Sequence, residues 1–183
     1  MMSKASNGLR KIGFYVETVI SKLRWSGLRV NGLFRKRRDT QIIIDEKGEM
    51  IIGKDVLFQR NVSLSSVDEG TLRIGSGVSF NRNCIIICRN EITIEDDVIF
   101  GPGVTIYDHD HIFTAEGIKP GYNIGSVVIE KGCWIAANVT ILRNTHIGEG
   151  CVIGAGAVVK GEIPPHSLVT SNRGLNVVPI EKR

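Results

Sequence analysis

No run of eighteen apolar residues occurs anywhere in this chain of 183 residues, so a transmembrane helix is not expected. Residues 1–11 are basic but lack the uninterrupted apolar core of a signal peptide. No two of the four cysteines stand in CxxC spacing, which leaves zinc binding and dithiol redox chemistry without their usual pattern. A basic surplus is missing from most of the chain as well. Residues 1–40 hold ten Lys/Arg against two acids, whereas residues 41–183 hold thirteen against seventeen. The net charge of +4 is therefore a terminal feature, and the mildly acidic body argues against nucleic-acid binding. The expected location is cytoplasmic and reducing, with room for a contact at the inner face of a membrane.

What the chain does have is a period of six. Ile129, Ile135, Ile141, Ile147, Ile153 and Val159 follow one another at that spacing. A helix repeats its apolar face at about 3.6 residues and a strand at 2, so a sustained period of six means short strands separated by turns. The second position is small or polar (Ala136, Gly148, Gly154) and the fifth compact (Cys133, Val139, Thr145, Cys151, Ala157). This is the hexapeptide signature of a parallel β-helix. Three units make one coil of a triangular prism, and equivalent aliphatics stack about 4.8 Å apart. Cys84, Cys133 and Cys151 take the inward fifth position and read as core.

Earlier coils are marked by Ile52, Phe58 and Leu64, by Ile74, Phe80 and Ile86, and by Ile94, Phe100 and Ile106, with a faint start at Ile42 and Ile44. Relative to eighteen residues per coil, the insertions are 4, 2, 17 and 0 residues, each after the third unit. All should emerge at one corner. The longest exceeds the ~12–15 residues of an ordinary connection, which marks a functional loop at 107–128. Gly161 to His166, with Pro164 and Pro165, should close the last coil, because proline cannot continue a ladder. One strand is expected around Val177, Val178 and Ile180.

The division expected is a basic amphipathic helical segment at 1–40 and a solenoid at 41–183. Leu9, Ile12, Val16, Val19, Ile20 and Leu23 stand at helical spacing, followed by Arg35, Lys36, Arg37 and Arg38. A cap for the open end of the solenoid and a peripheral anchor on an anionic membrane both fit.

The repeat, the segment PGVTIYDHDH before the long loop, and the segments WIAANVTIL, IGEGCVIGAGAVV and IPPHS after it resemble the hexapeptide-repeat acyltransferases. The resemblance is to the maltose, galactoside and polysaccharide O-acetyltransferase branch, over roughly residues 50–180. It implies an all-β solenoid, a left-handed parallel β-helix, to which the helical spacing of residues 9–25 adds a short N-terminal α-helix. It also implies a homotrimer, with acetyl-CoA in a groove between neighbouring prisms and no metal.

The same resemblance places the catalytic base at His111. Imidazole suits the task, since its ordinary pKa lies near neutral pH and a sugar hydroxyl is a weak nucleophile. His109 competes for the role, and Asp108 and Asp110 can orient either ring. Asn83 matches an asparagine near the family's active site, while a turn between prism faces explains it equally. Where that branch has an aspartate, this chain has Cys88, so the acceptor is not taken from maltose or galactoside. For the CoA arm the resemblance points to Trp134, Ala137, Ala155 and Lys160, with Arg173 and Lys160 for the phosphates. Trp134 also suits a contact with the next subunit.

The function expected is an acetyl-CoA-dependent O-acetyltransferase acting on a sugar or lipid-linked saccharide of a polysaccharide precursor. Two other classes are open: a non-catalytic solenoid scaffold, and a metalloenzyme like the gamma-type carbonic anhydrases. For the latter, His146 and His166 are the only further histidines, and their surroundings do not match that family's metal pattern.

Overall fold

The structure, a computed structural model, describes residues 26–171. The six-residue period becomes a parallel β-solenoid of about six coils, each with one strand on each of three faces. Coil one consists of β1 (Leu28–Val30), β2 (Arg35–Lys36) and β3 (Gln41–Ile44). Coil two consists of β4 (Glu49–Ile52), β5 (Leu57–Phe58) and β6 (Ser63–Ser66). Coil three holds β7 (Thr71–Ile74), β8 (Ser79–Phe80) and β9 (Ile85–Cys88), and coil four β10 (Glu91–Ile94), β11 (Ile99–Phe100) and β12 (Thr105–Tyr107).

An antiparallel hairpin, β13 (His109–Thr114) and β14 (Gly117–Ile124), then leaves the coil. Coil five resumes with β15 (Ser126–Ile129), β16 (Trp134–Ile135) and the first part of β17 (Thr140–Ile147). The rest of β17 opens coil six, followed by β18 (Val152–Ile153) and the first part of β19 (Val158–Ile163); the rest of β19 and β20 (Leu168–Val169) belong to one further turn. Because β17 and β19 bend through the corner between the third and first faces, those faces form one eleven-stranded sheet. The second face is a separate seven-stranded sheet.

The stacking follows the expected register. Ile52, Ile74, Ile94, Ile129 and Ile147 are ladder partners down the first face, and all are buried. Down the second face run Phe58, Phe80 and Phe100, whose rings stack at 5.3 and 4.7 Å. Leu64, Ile86, Ile106 and Ile141 line the third. All four cysteines are free and buried, and burial pushes the Cys84 thiol up to about 11.

Four expectations change. The solenoid begins before residue 41: Leu28, Val30 and Phe34 are core, and β1 and β2 pair with β4 and β5. Arg35 and Lys36 are thus part of a sheet. Lys36 occupies the ladder place held by Phe58 one coil on, and Phe34 fills the space instead, edge-on to Phe58 at 5.9 Å. Pro164 and Pro165 do not end the ladder. They sit in a corner, where no ladder N–H is required, and β20 pairs with β18 beyond them. The long loop is the hairpin β13–β14. The helix expected around residues 9–25 and the strand around 177–180 lie outside the described residues. Among the described residues, no helix is long and apolar enough to cross a membrane.

Candidate active site

All insertions emerge at the third corner, between the third and first faces, and there the hairpin is rooted. Asp108, at the end of β12, is fully buried. Its carboxylate accepts from the backbone N–H of Arg89 at 3.0 Å and of Asn90 at 2.7 Å, which satisfies the corner one coil below. Burial, reinforced by the Asp108 charge, pushes the neighbouring Cys88 thiol upward. The N–H of Gly125 donates to the Asp108 carbonyl, and Asn90 Nδ2 to the Gly125 carbonyl, so both ends of the hairpin share one root.

His109 points back onto this root. Its Nδ1 lies 2.9 Å from Asp108 Oδ1, and its side chain is only 11% exposed. An acidic oxygen on Nδ1 favours the tautomer with its proton there, which leaves Nε2 with a free lone pair. His111, two residues on, is exposed and pairs across the hairpin with Tyr122. The Tyr122 ring meets both imidazoles, His111 tilted at 4.9 Å and His109 edge-on at 5.3 Å. Immediately after His111 the register shifts, and Pro120 and Gly121 form the bulge; the positive φ of 95° at Gly121 is the conformation glycine adopts freely. Between the histidines, Asp110 accepts from Arg143 Nε at 2.5 Å, tying the hairpin to the bend of β17.

Most of the residues expected at the CoA arm gather elsewhere. Asn83, Ala137 and Ala155 stand along the second corner, between the second and third faces. Asn83 is a left-handed turn residue with φ 62°, like Asn61 at 59° one coil below, and it accepts from the Asn61 amide at 2.9 Å. Trp134 projects from the second face, 52% exposed. It lies in register between Ile99 and Val152, and Val152 is followed by Leu168, which forms an uncharged row across four coils. Lys160 is exposed on β19, near the third corner. Arg173 lies outside the described residues. The third face, roughly 13 Å long for four residues of strand, thus stands between the root of the hairpin and the second-corner group.

Two other sites hold polar groups. His146, on the first face, has Nε2 2.9 Å from Glu130 and Nδ1 3.0 Å from Glu162. The hydrogen bond to Glu130, then the charges of both acids, hold its pKa above the ordinary value, while partial burial opposes this. A shallow cleft of about 420 Å³ opens on the same face beside Arg73, Ser76, Asp96 and Lys131. Among the described residues, no group of three or more His, Cys, Asp or Glu is placed to hold a metal ion.

The Asp-His-Asp-His run is legible in the sequence, whereas Arg89 and Arg143, which hold it through Tyr122 and Asp110, are not. Only the acidic residue before each histidine signalled a partner.

Comparison with known proteins adds the following. Residues 126–161 match the family described as bacterial transferase hexapeptide (six repeats). A Staphylococcus aureus (strain Mu50) protein provisionally named an acetyltransferase is 39% identical over 126 residues, which cover 64% of this chain and 63% of that protein. The chain thus spans less than two thirds of that relative's length. Among solved structures, a variant of AntD, an N-acyltransferase from Bacillus cereus in complex with dTDP-4-amino-4,6-dideoxyglucose and coenzyme A, has a TM-score of 0.67 at 22% identity, over 89% of this chain and 87% of that one. NeuO, a polySia-specific acetyltransferase, has a TM-score of 0.54 at 18% identity, over 87% and 81%. These two likenesses are of fold.

Proposed function

Because this chain carries the hexapeptide repeat of bacterial transferases, we propose that it is an acyltransferase on a left-handed solenoid. It moves the acetyl group of acetyl-CoA to a hydroxyl of a sugar or polysaccharide precursor. The observation that carries the proposal is the pair of imidazoles on the hairpin that leaves the prism at the third corner. His111, the ring the motif resemblance selects, takes the proton of the acceptor hydroxyl as its oxygen attacks the thioester carbonyl. The carbon–sulfur bond then breaks, and His111 returns the proton to the departing thiolate, giving an O-acetyl ester and free CoA. A second reading makes His109 the base, because Asp108 already fixes its ring.

Trp134 and the small side chains Ala137 and Ala155 suit the pantetheine arm, since they leave backbone N–H and C=O groups open to it. Lys160 and Arg173 supply charge for the phosphates. The two groups lie on different corners of one prism, so a complete site needs a second copy. Outward side chains support this. The first face carries ion pairs such as Arg29–Glu49 and Arg73–Glu91, whereas the second shows the uncharged row Ile99, Trp134, Val152 and Leu168, the last 69% exposed. A face of that kind against the third face of a neighbour is a head-to-tail contact that closes as a ring, here a trimer. Sedimentation is expected to give a trimer that Trp134→Glu dissociates with loss of activity; an active monomer contradicts the shared site.

Thiol release from acetyl-CoA with a panel of hydroxyl and amino sugars tests the activity. Release that depends on a hydroxyl sugar supports the proposal, release only with amino sugars replaces the acceptor class, and no release with any acceptor refutes it.

A further inference from the structure

Arg89 makes a contact that its place in the repeat does not require. It lies in the short corner between β9 and β10, yet its guanidinium carbon sits 4.1 Å from the centre of the Tyr122 ring on the hairpin, well within cation–π range. An ion pair with Asp68, from the corner one coil below, anchors the same guanidinium. The corner itself is closed by other groups, since the backbone N–H of Arg89 and of Asn90 donate to Asp108. Coil two turns the same corner through Val67 to Gly70 with a backbone bond of 3.0 Å and no arginine.

The side chain is also costly to hold. Among the described residues, Arg89 Nε is the buried side-chain polar atom without a partner. Such an atom loses its hydration and gains nothing in return, so its retention calls for a reason. What it grips is one ring, and that ring also meets His111 and His109. Beyond its root and the Asp110–Arg143 pair the hairpin has no apolar anchor at Phe113, Ile118 or Ile124, all of which are exposed, and a two-stranded ribbon by itself is marginal in water.

We propose that Arg89 is a positioning residue: anchored by Asp68, it fixes Tyr122 by cation–π contact, and the Tyr122 ring fixes the imidazole of His111. Arg89 touches no reacting atom. The kinetic arm of the test rests on the acyl-transfer proposal; the spectroscopic arm does not.

The variants are Arg89→Lys, Arg89→Met, Tyr122→Phe and Tyr122→Leu in the full chain. The readouts are Tm, kcat with a hydroxyl acceptor, KM for acetyl-CoA, and the imidazole carbon-bound proton signals of His111, assigned by their absence in His111→Asn. Arg89→Met and Tyr122→Leu are expected to shift the His111 signals and to lower kcat by about ten- to a hundredfold, the scale of a misplaced catalytic group. KM for acetyl-CoA should stay within about twofold, as expected when only orientation is lost. Arg89→Lys keeps a cation and should recover most of the loss. Tyr122→Phe keeps the ring and should retain activity that Tyr122→Leu loses.

Unmoved His111 signals in Arg89→Met and Tyr122→Leu overturn the proposal, whatever happens to Tm, and so does Arg89→Lys behaving like Arg89→Met. A wild type inactive with every acceptor refutes acyl transfer and leaves the signals to decide positioning. If Arg89→Met does not fold, Asp68→Asn loosens the anchor from an exposed site. It should move the same signals in the same direction, and no movement overturns the proposal.

Discussion

Phe80 stacks on Phe100 with centroids 4.7 Å apart and planes within 5° of parallel. The two are ladder partners on adjacent coils of the second face, so the spacing of the rings is the spacing of the strands. Phe80 is also stacked on Phe58 below. Phe80→Ala therefore opens a hole in the middle of a column, and the rigid coils on either side cannot collapse into it. The expected loss is about 3–5 kcal/mol of unfolding free energy, measured by urea denaturation with the slope unchanged. A loss under about 1 kcal/mol would mean that the column is not continuous.

His146 gives stability a pH dependence. Both ring nitrogens face carboxylates, Glu130 and Glu162, so the fold favours the imidazolium, the form that donates from both nitrogens. Its folded pKa is raised above the ordinary histidine value, whereas Glu130 is held below the usual carboxylate range by its hydrogen bond to His146 and by the backbone N–H of Glu149. The contribution of His146 is therefore complete below about pH 6.5 and is lost as pH rises through the raised folded value. The groups are partly exposed, so the effect is small and screened by salt. At low salt wild type should exceed His146→Gln in Tm below the ordinary histidine value, and the difference should shrink as pH rises through the raised folded value. A constant difference across that range would contradict the bridge.

The first coil makes a prediction about truncation. A chain starting at residue 26 keeps Leu28, Val30 and Phe34, whereas one starting at residue 41 loses all three and uncovers Met50, Ile52 and Phe58. The shorter chain should have the lower Tm and should self-associate through its uncovered strand edges, as seen by light scattering. Equal Tm values and equal size would show that coil one contributes nothing to the core.

What the sequence discloses depends on whether geometry forces a period. Stacked coils admit only buried branched or aromatic residues at one position in six, so Ile129 to Val159 announce themselves. Coil one does not, because Lys36 stands at a ladder position and Phe34, two residues earlier, fills the core. The hairpin is equally silent: its strands pair antiparallel, its apolar side chains Phe113 and Ile118 face solvent, and its register shifts after His111. The Asp-His-Asp-His run is visible, yet spacing alone treats both histidines alike. Only the fold shows that Asp108 turns inward and takes His109 with it, while Asp110 turns to Arg143. Nor does sequence order reveal that Trp134 stands on the second face while His111 stands on the hairpin rooted at the third corner.

The central claim is that an imidazole of this hairpin is the base for acetyl transfer to a hydroxyl. The direct measurement is kcat by thiol release for wild type, His111→Asn and His109→Asn, beside CoA affinity by calorimetry. Asparagine keeps the size and polarity but does not accept a proton near neutral pH. His111→Asn should lower kcat by roughly 10²–10⁴ with CoA binding intact, and His109→Asn should cost far less. The reverse order would move the base to His109 and its Asp108 partner. Small and equal losses in both variants would contradict the account, because neither ring would then be taking the proton.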